Sequence, residues 1–436
     1  MRWEDLLSAS RLGGKPQKRF DGRSPFLSDH DKIIFSEPFR RLAKKTQVHP
    51  LATNDHIHNR LIHSLEVACI GRSLAMQVGY QLKEINQLPN CLSPSALGDI
   101  VQTTCLAHDL GNPPFGHTGE DAISKWFVLN ESCVMQTLTE RQKNDLIHFE
   151  GNAQGFRLLT ASESAHSSSM LSMTYATLGA FIKYPWCSDA TGQKKYGVYD
   201  TEIDLLDEVA EHTGLIKTAT GYARHPLVYL MEASDDICYA LLDLEDGIEM
   251  RLTTFDDIYH VFSPLLAEDT QGELNDRLMA IKAGQVPSVL RGYIMDIYIS
   301  RCAKAYIEHL DVIMTGQCDD DLIRLADDAV YESVTKAKQL AVEKIFTHPR
   351  KVELEIGAYE IIYRLLDKMI PAVQTLFDTR KTCDKEQDMV LRLIGKEKLI
   401  AQPSYYHALR VTLDFIGGMT DNYAMDLSRQ FAGLSN

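Results

Sequence analysis

The chain of 436 residues contains no apolar run that approaches the roughly 20 residues needed to span a bilayer. Its opening stretch, "MRWEDLLSAS", lacks the apolar core of a secretory signal. The nine cysteines, at 69, 91, 105, 133, 187, 238, 302, 318 and 383, are odd in number and form no CxxC pair. A disulfide framework is therefore not expected, and the pattern fits reduced thiols in a cytoplasmic protein. Basic side chains are in deficit, 45 against 60 acidic ones, for a net charge of −15. An acidic surface argues against a protein that coats nucleic acid. It does not exclude an anionic substrate, because a metal and a few local Lys or Arg can invert the field inside one cleft. Strand-like alternation is scarce and short, no internal repeat is visible, and no linker is long enough to force a domain boundary.

What is present is helical periodicity. Apolar residues recur at three-four spacing over 60–79, 97–110, 227–250, 287–315, 322–346, 353–378 and 405–430, which predicts a mostly α fold. With 44% hydrophobic residues the chain can bury a large core. Residues 1–35, with Gly13, Gly14, Pro16, Gly22 and Pro25, read as irregular, "ASESAHSSSM" (161–170) as a mobile loop, and 188–200 as a polar turn or short hairpin. Asp319, Asp320 and Asp321 read as a helix start, where carboxylates meet the positive end of the dipole.

Three pieces can carry chemistry. In "NRLIHSLEVACIGRSLAMQ", His63 shares an inward stripe with Val67, Ile70 and Leu74, and Arg60 lies one turn earlier on a neighbouring face. In "ALGDIVQTTCLAHDL", Ile100, Thr104 and His108 stack on one side, and Gly111, as a left-handed cap, with Pro113 and Pro114 is expected to end the helix there. His108 and Asp109 would then reach an ion just beyond the helix end. "PFGHTGE" is expected to follow as a rigid loop carrying His117 and Glu120. In "EASDDICYALLDLEDGIE", Asp235, Tyr239 and Asp243 share a helical face, while Ile237, Ala240, Leu241 and Leu244 pack. An unpaired buried carboxylate costs several kcal/mol, so Asp235 needs a partner, and a metal ion is one. Alone, His63 would more often be a hydrogen-bonded core residue and Tyr239 a packing residue. Two His and two Asp form a nitrogen and hard-oxygen set that suits Mg, Mn, Fe(II), Co or Ni better than a closed structural zinc site.

His63, then His108-Asp109, then Asp235 resembles the H…HD…D signature of the HD-domain metal-dependent phosphohydrolases. The segments "FRRLAKKTQV", "NRLIHSLEV", "HDLGNPPFGHTGE", "FEGNAQ", "EASDDICYALLDLED" and "LDFIGGMTD" together resemble the bacterial dGTPase (deoxyguanosinetriphosphate triphosphohydrolase) family from about residue 38 to about residue 425. The resemblance implies an HD-domain helical fold with additional C-terminal helices. It is read here as one unit, 1–436, with a metal-site core over about 56–250 and a helical region over about 251–436. It implies a divalent ion, Mg or Mn first, with Fe, Co or Ni also fitting, held by His63, His108, Asp109 and Asp235. It makes His117 and Glu120 the catalytic pair. Gln47 and Asp243 would contact the sugar 3′-hydroxyl, Tyr239 would lie against the deoxyribose, and Arg60, Lys183 and Tyr184 would meet the phosphates. Asn152 would line the pocket. Asn112 stands where many family members carry His, which favours a one-metal site.

The implied activity is hydrolysis of a dNTP, dGTP first, to deoxynucleoside and tripolyphosphate. The family implies a homo-oligomer, a tetramer or hexamer, and a dNTP or single-stranded DNA as effector, with no membrane association. Two other readings stay open. One is a different HD chemistry, a 5′-nucleotidase or phosphodiesterase, which would not release intact tripolyphosphate. The other is a nucleotide-sensing regulatory protein, which would have no need of His117 and Glu120.

Overall fold

The computed structural model describes residues 1–14, 24–47, 58–160, 171–266 and 286–434. The expected loop at 161–170 lies outside these residues. The fold is mostly α, and among the described residues β-structure is confined to isolated bridges such as Thr46 with Asn59. No helix among them is long and apolar enough to cross a membrane.

The periodic segments form helices close to the expected bounds, Arg60–Glu84, Pro94–Ala107, Val228–Glu249 and Pro349–Phe377, while the segment expected over 287–315 divides into Val286–Glu308 and Leu310–Met314. Two long periodic stretches are broken by caps that the apolar pattern cannot show. The Asp327 side chain accepts from the Val330 amide and starts Asp328–Ala341. Thr420 starts Asp421–Phe431 in the same way, after Tyr405–Gly417 has ended. Each cap satisfies an amide that the first turn leaves free. Asp321 caps Leu322–Leu325, so the acidic run there is a helix start as read. Residues 188–200 hold turns and one bridge, between Cys187 and Val198.

The N-terminal region is less irregular than expected. Trp3–Leu6 and Pro25–Phe35 are helical. Ser24 accepts from the Leu27 amide and Pro25 occupies the first turn, where its missing N–H costs nothing. The proline read as a breaker is a helix starter.

Among the described residues the apolar side chains gather into two large cores and a small cluster of Ala153, Tyr196 and Tyr199. The larger runs from Trp3 to Ile345 and packs the His63 helix against Pro94–Ala107 and Val228–Glu249. The second gathers Phe115, Ile123, Trp126 and Phe127 with Leu365, Met369, Leu409 and Leu413. The helix that begins beside His117 is thus bedded in the C-terminal helices. Trp126 Nε1 also donates to Asp367 at 2.7 Å across that contact. Arg157, on the helix Gly151–Thr160, also reaches the C-terminal helices, donating to Asp414 at 2.8 Å, and forms an ion pair with Glu202.

Candidate functional site

Pro94–Ala107 ends at Ala107, and His108 is its C-cap in right-handed geometry. Gly111 is not in the left-handed region. Its role is close approach: a Cβ there would lie 2.0 Å from the Gly151 carbonyl oxygen and 2.2 Å from the Gly155 nitrogen. The left-handed residues are Phe115, φ 65°, and Gly116, φ 57°. They turn the chain into a new helix, Gly116–Leu129, so His117 and Glu120 stand near the start of a helix rather than in a loop. The i, i+3 spacing faces them toward each other. His117 Nδ1 lies 2.7 Å from Glu120 Oε2, and the Gly151 amide donates to Glu120 Oε1 at 2.8 Å.

His63, His108 and Asp109 place candidate ligand atoms within 4.8 Å of one another. Asp235 Oδ1 lies 3.1 Å from His63 Nε2 and 3.5 Å from His108 Nε2. The arrangement has the features of a cation site. His108 Nδ1 faces the Cys105 carbonyl at 2.6 Å, which makes it the donor and leaves the Nε2 lone pair toward the carboxylates. That Nε2 is buried and has no hydrogen-bond partner. Burial pushes the Asp109 carboxyl up, but Arg60, at 2.8 Å, together with His108 and His63 holds it down at about 2. Asp235 is likewise held below the usual carboxylate range by His108 and His63, against the effect of burial. Both are ionised at neutral pH. The donor set fits a hard divalent ion.

The cavity over this cluster holds about 160 Å³, room for an ion and several waters. It is lined by His108, Asp109, Asn112, His117, Glu120, Glu150, Asn152, Lys183, Lys195, Glu232, Asp235 and Tyr239, with Gly151, Phe181 and Met231. Five carboxylates against two lysines make the protein's own lining acidic. An anion needs added positive charge to enter, and a divalent ion supplies it. The His117 ring is 77% exposed. Its pKa is raised, first by the hydrogen bond to Glu120 and also by that carboxylate's charge.

The other sequence candidates divide. Asn152 lines the cavity and its Nδ2 donates to Glu150 at 2.6 Å. Lys183 lines it beside Glu232, 3.4 Å away, which also pairs with Arg224. Tyr239 joins the cluster to Gln47: its ring centroid is 4.8 Å from that of His63, and Gln47 Nε2 donates to its hydroxyl at 2.8 Å. Arg60 is buried on Asp109 and does not line the cavity. Tyr184 is half-buried against Trp186, outside the lining. Asp243 is buried below Tyr239's helical turn. Burial, then the charges of Asp246 and Asp235, push its carboxyl up to about 8. Lys195, Glu150 and Glu232 escaped the sequence reading. Lys195 sits in a turn without periodicity, and no local pattern marks which of its neighbours faces a cavity.

The fold and this cluster define the class: the HD domain family matches residues 60–150, and the phosphohydrolase-associated domain matches residues 325–430. A deoxyguanosinetriphosphate triphosphohydrolase-like protein of Pseudomonas aeruginosa is 43% identical over 445 residues, covering all of both chains. A protein of the same description from Synechocystis is 36% identical over 457 residues, again covering all of both. The deoxyguanosinetriphosphate triphosphohydrolase of Serratia proteamaculans is 30% identical over 507 residues, covering 98% of each. The chain belongs to the deoxyguanosinetriphosphate triphosphohydrolase family, within the HD phosphohydrolases, and is a hydrolase of that class.

Proposed function

We propose that this protein is a metal-dependent dNTP triphosphohydrolase that converts a dNTP, dGTP foremost, to deoxynucleoside and inorganic tripolyphosphate. The observation that carries the reading is the convergence on one cavity of His108, Asp109 and Asp235, with the buried His63 behind them, the His117–Glu120 pair and Lys183. The names of the full-length relatives point the same way. The proposal takes the chain as one unit, with the metal-site core over about 56–250 and the C-terminal helices over about 251–436. It includes a homo-oligomer working in the cytoplasm.

His63, His108, Asp109 and Asp235 would hold the ion, Mg or Mn before Fe, Co or Ni. Bound there, a divalent ion supplies Lewis-acid polarisation of the α-phosphoryl oxygen and a more acidic water. Arg60 keeps Asp109 ionised for this role, and Asn112 donates to the same carboxylate. Lys183 and Lys195 offset triphosphate charge. Glu120, anchored by the Gly151 amide, orients the His117 ring. His117, whose pKa is raised by its hydrogen bond to Glu120, is the proton donor of the pair. It gives its proton to the leaving 5′-oxygen as the bond from that oxygen to the α-phosphorus breaks and water adds to the phosphorus, and the proton lost by the water returns to the imidazole. Tyr239 packs against the deoxyribose, and Gln47 and Asp243 pair with its 3′-hydroxyl. The buried Asp243, protonated at neutral pH, can donate as well as accept.

The test is a screen of the four dNTPs, singly and in pairs, with Mg and with Mn, and separation of the products. Intact tripolyphosphate is expected, and the paired mixtures read effector nucleotides. Release of only orthophosphate or pyrophosphate, or turnover of none of the four, overturns the proposal.

A further inference from the structure

Two of the segments that marked the sequence, "FRRLAKKTQV" and "LDFIGGMTD", meet in space although about 370 residues separate them. Asp421 is 2% exposed and accepts three hydrogen bonds. Its Oδ2 takes the Thr46 amide at 2.9 Å and the Thr46 hydroxyl at 2.5 Å, and its Oδ1 takes the Phe115 amide at 2.9 Å. Lys45, 3% exposed, answers from the other side. Its Nζ donates to the Asn112 carbonyl at 2.5 Å and to the Gly417 carbonyl at 2.6 Å. The strand-like piece between them is fixed further by the Arg60 amide, which donates to the Lys45 carbonyl at 3.2 Å.

Each arm of this arrangement ends on a functional group. Thr46 is followed by Gln47, which reaches the Tyr239 hydroxyl. Phe115, held in the left-handed region, caps the helix that carries His117 and Glu120. A left-handed phenylalanine is strained, and such a conformation persists only where its surroundings hold it. The carboxylate on its amide is one such restraint. We propose that Asp421, with Lys45, is a clasp through which the C-terminal helices position the sugar-binding arm and the proton-transfer pair together. Asp421 touches neither substrate nor reacting atoms and is a positioning residue. This inference deepens the proposed dNTP hydrolysis and rests on it for its kinetic readout.

A carboxylate suits the position because all three partners are donors. Asp421→Asn keeps the shape but offers one oxygen, so one arm must face an NH₂ group. The experiment compares wild type and Asp421→Asn on three readings: bound metal by elemental analysis, hydrogen exchange of the Thr46 and Phe115 amides, and kcat/KM for dGTP and for 2′,3′-dideoxy-GTP. Metal content is expected to stay. Exchange should rise at one or both amides. kcat/KM for dGTP should fall by about tenfold or more, since an ångström of displacement at reacting groups can cost about a hundredfold. The preference for dGTP over the dideoxy analogue should narrow. A merely structural residue would lower the yield of active protein and leave that ratio alone. Unchanged exchange at both amides, or an unchanged ratio with dGTP turnover within twofold of wild type, overturns the clasp. If Asp421→Asn does not fold, Thr46→Val, which removes one of the three bonds, is expected to narrow the same ratio, and an unchanged ratio counts against the proposal. Wild type that fails to turn over dNTPs would defeat the functional reading instead, and the clasp would then be judged on hydrogen exchange.

Discussion

Acidification should strip stability from this protein at one identifiable side chain that does not line the candidate active site. His225 is fully buried. Its Nε2 faces the Leu6 carbonyl at 3.1 Å, and its Nδ1 accepts from the Leu227 amide at 3.1 Å. Only the neutral Nε2–H tautomer satisfies both, because a second proton on Nδ1 would set two donors against each other. Burial lowers the pKa from 6.5 to about 4, while the Leu6 contact works weakly the other way. The unfolded chain takes up this proton near pH 6.5 and the folded chain resists it until about 4. The unfolded state therefore binds more protons across that window, and stability falls as pH falls through it. The shift corresponds to about 3 kcal/mol, present above pH 6.5 and gone below about pH 4. Other groups titrate in the same range, so the measurement is a difference. Urea unfolding followed by circular dichroism at pH 7, 6, 5 and 4 is compared for wild type and His225→Gln, which keeps a donor and an acceptor but does not titrate. The variant is expected to lose less stability on acidification by about 3 kcal/mol. Parallel loss in the two proteins would refute the assignment of a neutral buried imidazole.

Three further outcomes follow from the proposed site. Asp235→Ala should stay folded yet lose both bound divalent metal and activity, and full metal occupancy by elemental analysis would remove Asp235 from the ligand set. His117→Ala should bind metal and dNTP but turn over about 10²–10⁴-fold more slowly, the usual contribution of a positioned acid or base. A loss below about tenfold on that scale would leave His117 a structural residue. Wild type should hydrolyse dGTP in preference to GTP and 2′,3′-dideoxy-GTP, because paired hydroxyl partners are stranded when the hydroxyl is missing. Tyr239→Ala should admit GTP, and equal kcat/KM for GTP and dGTP in the wild type would show that this helix face does not read the sugar.

Helical spacing makes shared faces legible, while the roles of the residues on them come from the resemblance to the HD signature. His63 lies in register with Val67 and Ile70, and Asp235, Tyr239 and Asp243 fall one turn apart, so their shared faces could be read before any fold was known. The places where the reading failed have a common cause. The local sequence suggests a left-handed cap at Gly111 because glycine often serves there, but the constraint on it comes from the Gly151–Thr160 helix, which no local pattern announces. Prolines and glycines around His117 and Glu120 suggest a loop, yet Phe115 and Gly116 turn the chain directly into a helix.

The sequence by itself determined the helical class and the chain positions of the long helices, because apolar period is a local property, and it suggested the candidate metal cluster only through its resemblance to the H…HD…D signature. Only the tertiary structure decided what holds those groups in place. Arg60 reaching Asp109 rather than the cavity, Lys195 and Glu232 facing it, and Asp421 binding Thr46 and Phe115 are contacts between distant parts of the chain. A hydrogen bond across 306 or 375 residues leaves no period in the sequence. It exists only once packing has brought its two ends together and buried them from water, where leaving either end unpaired costs about 1–3 kcal/mol.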